Sequence, residues 1–307
     1  MTAMSEADDE KLLQAIEAKN AKDVKAALAA GASASAKKAS GLSGLLIALE
    51  LKSKPIAKQL LAAGADPKVT KKRGETPLHV IADAFPDLDI AAMLIDAGAD
   101  PNALGGSDNE APLHLAVMRP KLDLATLLLD KGANIDVHDG DKERTPLQKT
   151  IYAATKTSLG AASFLMERGA DVNAVDKYGW NALMYAVKHT GDLAFVEAVA
   201  ARGARVAIDK YGKTMLHRAV DSTHSKHKDI WEWLIAHGCD VNARDEDGET
   251  PIFEAQSSWN PTAVKFLIAK GTDLSIKNKK GKTVVDEARD LKQTEILSIL
   301  EAAEKKG

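Results

Sequence analysis

The residues best equipped for chemistry crowd between positions 217 and 239. Asp221-Ser-Thr-His224-Ser-Lys-His227 is flanked by His217 and His237, and the lone Cys239 lies just beyond. Imidazole, carboxylate and thiolate are the donors of a zinc site, which needs three or four of them in fixed geometry with hydrogen-bonded partners behind. Here His224 and His227 sit beside Lys226 and Lys228, whose charge opposes a cation. The stretch is expected to be a solvated polar loop, and a metal-dependent binder or enzyme built on 221–227 is the remote alternative. Asp245, Glu246, Asp247 and Glu249 form an acidic run at an expected exposed turn, where nothing would raise a carboxyl pKa. Gly105-Gly106 lacks the lysine that follows a phosphate-cradling loop. A single cysteine excludes an intrachain disulfide and a cysteine zinc cluster. No catalytic, cofactor-binding or metal-ligating residue is assigned, and the chain is expected not to be an enzyme.

The elements that must carry these residues are set by a period. Gly41, Gly74, Asn109, Glu143, Gly179, Gly212, Gly248 and Gly281 recur at intervals of 33 to 36 residues. Gly31, Gly64, Gly98, Gly132, Gly169, Gly203, Gly238 and Gly271 recur at 33 to 37. Two landmarks sharing one period mark a tandem array, in which each unit packs only on its neighbours. The first landmark opens a helix. Pro at the first helical turn loses no hydrogen bond, and the preceding Thr can accept from a free backbone N–H. The second closes a helix, since glycine takes the left-handed conformation there without steric cost. The extra residues at 154–160 and 222–228 fall between the two helices of their repeats and are expected to be loops.

Thr76-Pro-Leu-His79, Ala111-Pro-Leu-His114 and Thr145-Pro-Leu-Gln148, with Gly-Ala-Asp-Val-Asn at 169–173, resemble the ankyrin repeat signature. The resemblance covers residues 6 to 304 and is similar in style to stand-alone bacterial arrays. It implies an all-α ankyrin solenoid, elongated and curved, of about nine stacked helix pairs with short β-hairpin-like fingers. A single domain would span 1–307: an N-terminal capping pair at 6–31, seven full repeats over 41–271, and a C-terminal capping repeat at 281–304. It also implies that the signature histidines His79, His114 and His217 tie successive repeats through backbone hydrogen bonds instead of doing chemistry.

Composition agrees with thin, closely stacked helices: 45% of the residues are hydrophobic and only 4% aromatic, so alanine and leucine must fill the core. A net charge of −3 from 41 basic and 44 acidic residues gives no field that would favour nucleic acid or an anionic membrane. No apolar run reaches the roughly 20 residues that span a bilayer. The expected compartment is cytoplasmic, or periplasmic had a signal peptide preceded this chain, and the free protein is expected to be a monomer.

The resemblance implies a protein partner, held by the finger tips and first helices. The positions this exposes include Arg119, Arg144, Tyr152, Tyr178, Trp180, Lys188, His189, Tyr211 and Lys213, taken together as the partner-binding set. All four tyrosines fall between 152 and 211, and interface hot spots favour Trp, Tyr and Arg. Tyr185 is expected to point partly inward, and Trp231 and Trp233 to belong to the core. Lys177, Lys188, Lys210 and Lys213 would make the surroundings basic, suiting a partner with an acidic or neutral rim. The partner is expected to be an enzyme that this chain inhibits stoichiometrically, in the manner of an immunity protein. A scaffold joining two proteins is the alternative.

Overall fold

The structure, a computed structural model, describes residues 2–221 and 227–305, and the side chains from residue 6 onward within that span. It divides into two compact units, residues 1–150 with 156–170, and residues 151–155 with 171–307. The first holds α1 (Thr2–Glu17), α2 (Ala21–Ala29), α3 (Gly44–Glu50), α4 (Lys54–Ala62), α5 (Pro77–Asp83), α6 (Leu88–Asp96), α7 (Pro112–Met118) and α8 (Leu122–Asp130). Most of α9 (Pro146–Ala153) and all of α10 (Lys156–Glu167) complete it. The second holds α11 (Ala182–His189), α12 (Leu193–Ala201), α13 (Met215–Val220), α14 (Lys228–Ala236), α15 (Pro251–Ser257), α16 (Pro261–Ala269), α17 (Val284–Asp290) and α18 (Thr294–Glu304).

Within each unit the first helices stack on one another and the second helices do likewise. Thus α3 packs on α5 and α5 on α7, and α13 packs on α11 and α15. One position shows why the stack can be so close. Ala48, Ala116, Ala186, Ala219, Ala255 and Ala288 occupy the same place in their repeats, each with no exposed surface. Ile81 and Thr150 take it in the other two repeats, also fully buried, so a small side chain is the common choice there but not an obligatory one. The second helices contribute Ile56, Leu60, Ile90, Leu94, Leu234 and Leu267, all fully buried.

Among the described residues no β-strand forms, only the isolated bridges Lys37–Ser43, Gly105–Glu110 and Ile208–Thr214. Each finger is instead a tight turn closed by one or two backbone bonds, for example Asp176 N–H to Trp180 C=O at 3.1 Å and Asp209 N–H to Lys213 C=O at 3.0 Å. The turn needs a left-handed residue at its tip. Gly179 (φ 81°) and Gly212 (φ 75°) supply it, and Asn109 (φ 52°) and Glu143 (φ 55°) take the same conformation where the repeat lacks glycine.

One expected loop is a helix. Residues 156–160 begin α10, which runs for 12 residues where α8 and α12 run for 9. The inserted Lys156-Thr-Ser-Leu-Gly has no proline to stop a helix, so the added residues extend it by most of a turn. The second insertion lies largely outside the described residues.

The signature histidines form the seam between repeats. His79 Nδ1 accepts the Thr76 backbone N–H at 3.1 Å, so Nε2 carries the proton and donates to Glu110 C=O at 2.8 Å. His114 does the same between Ala111 N–H and Arg144 C=O, and His217 between Thr214 N–H and Glu249 C=O. Gln148 holds the corresponding N–H of Thr145 at 2.8 Å through its amide oxygen. Only a neutral imidazole can accept at Nδ1, and burial pushes the pKa of all three histidines below the ordinary value. A depressed histidine pKa means that the unfolded chain binds more protons, so stability is complete above about pH 6.5 and falls as pH drops below it. Urea titrations at pH 7.5 and 5.5 are expected to show that loss. The triple variant His79→Gln, His114→Gln, His217→Gln is expected to flatten it, because an amide reproduces the bonds without titrating.

Candidate functional site

Three fingers of the second unit are built around a buried aspartate, and the last around Asn278. Asp176 Oδ1 accepts the N–H groups of Tyr178 and Trp180 at 2.8 and 2.9 Å, and Asp209 Oδ1 those of Tyr211 and Lys213 at 2.9 and 3.0 Å. Each of these aspartates is met by the residue nine places on, at the fourth position of the following first helix. Tyr185 donates its hydroxyl to Asp176 at 2.6 Å, and Arg218 grips Asp209 through Nε at 2.8 Å. These anchors fix the aromatic side chains that the fingers and helices present.

The result is one connected array within the second unit. Tyr152 packs edge-on against His189, with ring centroids 4.9 Å apart, and Trp180 lies 5.2 Å from Tyr185 and 6.2 Å from His189. The Arg218 guanidinium covers Trp180 at 5.2 Å and reaches Tyr211 at 6.0 Å. Lys210 sits over Tyr178 at 4.5 Å and over Tyr211 at 5.1 Å, and Lys177 lies 5.5 Å from Tyr178 on its own side. Tyr152 and Tyr211 are the open edges, 48% and 44% exposed. Trp180, Tyr178 and His189 are half-buried, and Tyr185 is buried.

Several expected site residues sit elsewhere or are already engaged. Arg119 and Arg144 belong to the first unit. Arg144 was expected to be exposed and is instead 8% exposed; its backbone bonds Asp139 and His114, which turns the residue into the seam. Arg119 is exposed but paired with Asp83. Lys188 is paired with Asp221, and Lys213 with Glu254. The basic surround is therefore weaker than the lysine count suggests, since Lys188 and Lys213 are answered within the chain. Arg218, central to the array, was not singled out from the sequence. Its signal was there: it stands nine residues after Asp209, as Tyr185 does after Asp176.

The acidic run also departs from expectation. Asp245 is buried, not exposed, and its Oδ1 closes the finger by accepting the Asp247 and Glu249 N–H groups, both at 2.9 Å. Burial, with Asp245 nearby, raises the Glu249 pKa. Asp245, Glu249 and Glu254 approach within 4.8 Å of one another, but Lys213 bonds Glu254 and lies 3.8 Å from Asp245. The Lys213 ammonium thus answers two of the three carboxylates. Among the described residues the histidines of this stretch do not converge on a metal-binding group. His224 lies outside the described residues, and His217 belongs to the seam. His237 stacks on Trp233 with centroids 3.8 Å apart. His227, expected in a solvated loop, is buried against Gly191 at the start of α14. Burial pushes the Cys239 thiol up to about 11, which leaves it protonated and inert near neutral pH. Trp231 is fully buried, and Trp259 is 62% exposed.

A family model described as ankyrin repeats, three copies to a match, fits six overlapping stretches: 12–105, 45–139, 82–176, 113–209, 150–245 and 223–306. An ankyrin repeat-containing protein of Schizosaccharomyces pombe, P1E11.10, is 47% identical over 47 residues, 15% of this chain and 21% of that protein. An L-asparaginase of Dirofilaria immitis is 27% identical over 114 residues, 37% of this chain and 19% of that protein. The chain thus matches about a fifth of the length of these relatives. Among the described residues no helix is long and apolar enough to cross a membrane.

Proposed function

As the chain belongs to the ankyrin repeat family, we propose that it holds a partner protein on the aromatic array of its second unit and inhibits that partner stoichiometrically. Ankyrin repeats are protein-interaction modules and not catalysts, so the function rests on what the surface recognises. The observation that carries the proposal is the array from Tyr152 through Trp180 and Arg218 to Tyr211 and Tyr178. Tyr, Trp and Arg are the residues that dominate interface energetics, and here they are pre-positioned by buried carboxylates, which lowers the entropy lost on binding. Lys210, whose ammonium rests on two rings and has no carboxylate within 4 Å among the described residues, favours an acidic or neutral rim on the partner.

A scaffold is the second reading. It is favoured by the first unit carrying a cleft of its own, in whose lining carboxylates outnumber cations. The test is capture of the partner by the immobilised full chain, followed by assay of the partner with and without one equivalent of the chain. Loss of the partner's activity at one equivalent supports inhibition. Unchanged activity with two different proteins retained together supports the scaffold, and no protein retained above a Tyr152→Ala, Tyr211→Ala control rejects both.

A further inference from the structure

The first unit contains a cleft of about 370 Å³ between the finger at 71–75, the finger at 105–110 and the helices α5 and α7. Its floor is aliphatic, made by Val80, Ala84 and Leu115. Its rim is mostly acidic. Glu50, Glu75, Asp83 and Glu110 line it, against the cations Lys71 and Arg119. Lys71 is shared between Glu50 at 2.7 Å and Glu75 at 3.8 Å, and Arg119 is held by Asp83. Behind Glu110, Lys149 is divided among Glu110 at 2.6 Å, Asp139 at 3.4 Å and Asp108 at 3.5 Å. Six carboxylates therefore share three cations. His79 adds no charge, because its Nε2 is committed to Glu110 C=O and burial keeps the ring neutral. The wall between the fingers is backbone: a Cβ on Gly105 would fall 2.5 Å from Gly74 O.

Aliphatic lining beside an acidic rim matches the build of a long cationic side chain, whose alkyl stem buries while its head stays among carboxylates. We propose that this cleft takes the side chain of a lysine or arginine presented by a partner polypeptide. The stem lies on Val80 and Leu115, and the cation is received between Glu75 and Asp83. The occupant competes with Arg119 for Asp83, so Arg119 acts as a built-in rival. The inference rests on the protein-binding reading only for the source of the cation; the recognition chemistry belongs to the cleft itself.

The test uses the full chain, isotope-labelled, with capped single residues followed by NMR at the Val80 and Leu115 methyls and the Gly106 amide. N-acetyl-arginine and N-acetyl-lysine methylamides are expected to give saturable shifts there, weak because a single side chain supplies few contacts. The neutral N-acetyl-norleucine methylamide is expected to give none. Glu75→Gln and Asp83→Asn are each expected to weaken the cationic probes about fivefold, the scale of a partly exposed charge pair. Arg119→Gln is expected to strengthen them by a similar factor, a sign that general loosening of the fold would not produce. Absence of saturation, equal shifts with norleucine, or weaker binding by Arg119→Gln would overturn the proposal. Spermidine binding tighter than any capped residue would assign the cleft to free polyamines and overturn it equally. A silent cleft in a chain whose partner binding still depends on Tyr152 and Tyr211 would leave the protein-binding reading intact.

Discussion

Alanine in place of both Tyr152 and Tyr211 is expected to weaken partner binding by about 2 kcal/mol or more per ring, roughly 30-fold each, while the melting temperature stays at its wild-type value. These two rings are the exposed ends of the array, at 48% and 44% exposure, so they contribute little to the core and much to any surface laid against them. Trp180→Ala is expected to behave differently. That indole is half-buried, meets Tyr185 and Arg218, and donates Nε1–H to Asp209 at 3.3 Å, so its loss lowers both affinity and melting temperature. Calorimetric titration of the captured partner alongside thermal melts checks both. Wild-type affinity in the Tyr152, Tyr211 double variant would place the binding surface elsewhere.

Trp231→Ala is expected to destabilise the second unit by about 3–5 kcal/mol, the usual cost of emptying a buried aromatic site. Trp231 has no exposed surface, packs on Phe266 with ring centroids 5.3 Å apart, and donates Nε1–H to Ala219 C=O at 3.2 Å. Truncation leaves a cavity between α14 and α16 and removes the indole donor from the Ala219 carbonyl, which keeps only the Asp221 backbone N–H. Because each repeat is stabilised by its neighbours, the loss is expected to spread to the adjacent helix pairs. Urea unfolding followed by circular dichroism measures it. A shift below about 1 kcal/mol would mean that the core there is loosely packed.

The repeat register was legible in the sequence because it depends on backbone conformation, which few residue types tolerate at a given place. Aligning Asn109 and Glu143 with glycines correctly located two left-handed turn tips. The His79, His114 and His217 ties were legible for the same reason, each at a fixed offset from its helix cap. Charge neighbours were not legible. That Lys188 meets Asp221 and Lys213 meets Glu254 depends on how far one repeat is turned against the next, and spacing along the chain does not carry that angle. Arg144 and Asp245 stand at finger positions that the repeat pattern assigns to solvent, and both are buried in the folded chain. The residues at 154–160 misled because an insertion shows that length was added, not whether it became loop or helix.

The seam has a direction. In each tie the imidazole N–H points from one repeat to a carbonyl in the finger of the following one: His79 to Glu110, His114 to Arg144, His217 to Glu249. Asn102 and Asn173 donate Nδ2–H in the same sense, to Gly132 and Gly203 C=O, while their Oδ1 atoms and that of Asn242 accept the backbone N–H groups of Asn134, Arg205 and Asp273 in return. The two edges of any broken stack are consequently unlike. An edge that has lost its successor keeps aimed imidazole and amide side chains with nothing to meet them, whereas an edge that has lost its predecessor keeps the backbone C=O and N–H groups that those side chains held. A chain emerging from the ribosome meets this asymmetry in its favour. Every new finger arrives to find its docking groups already set by the repeat before it, so the array can zip in the order of its synthesis.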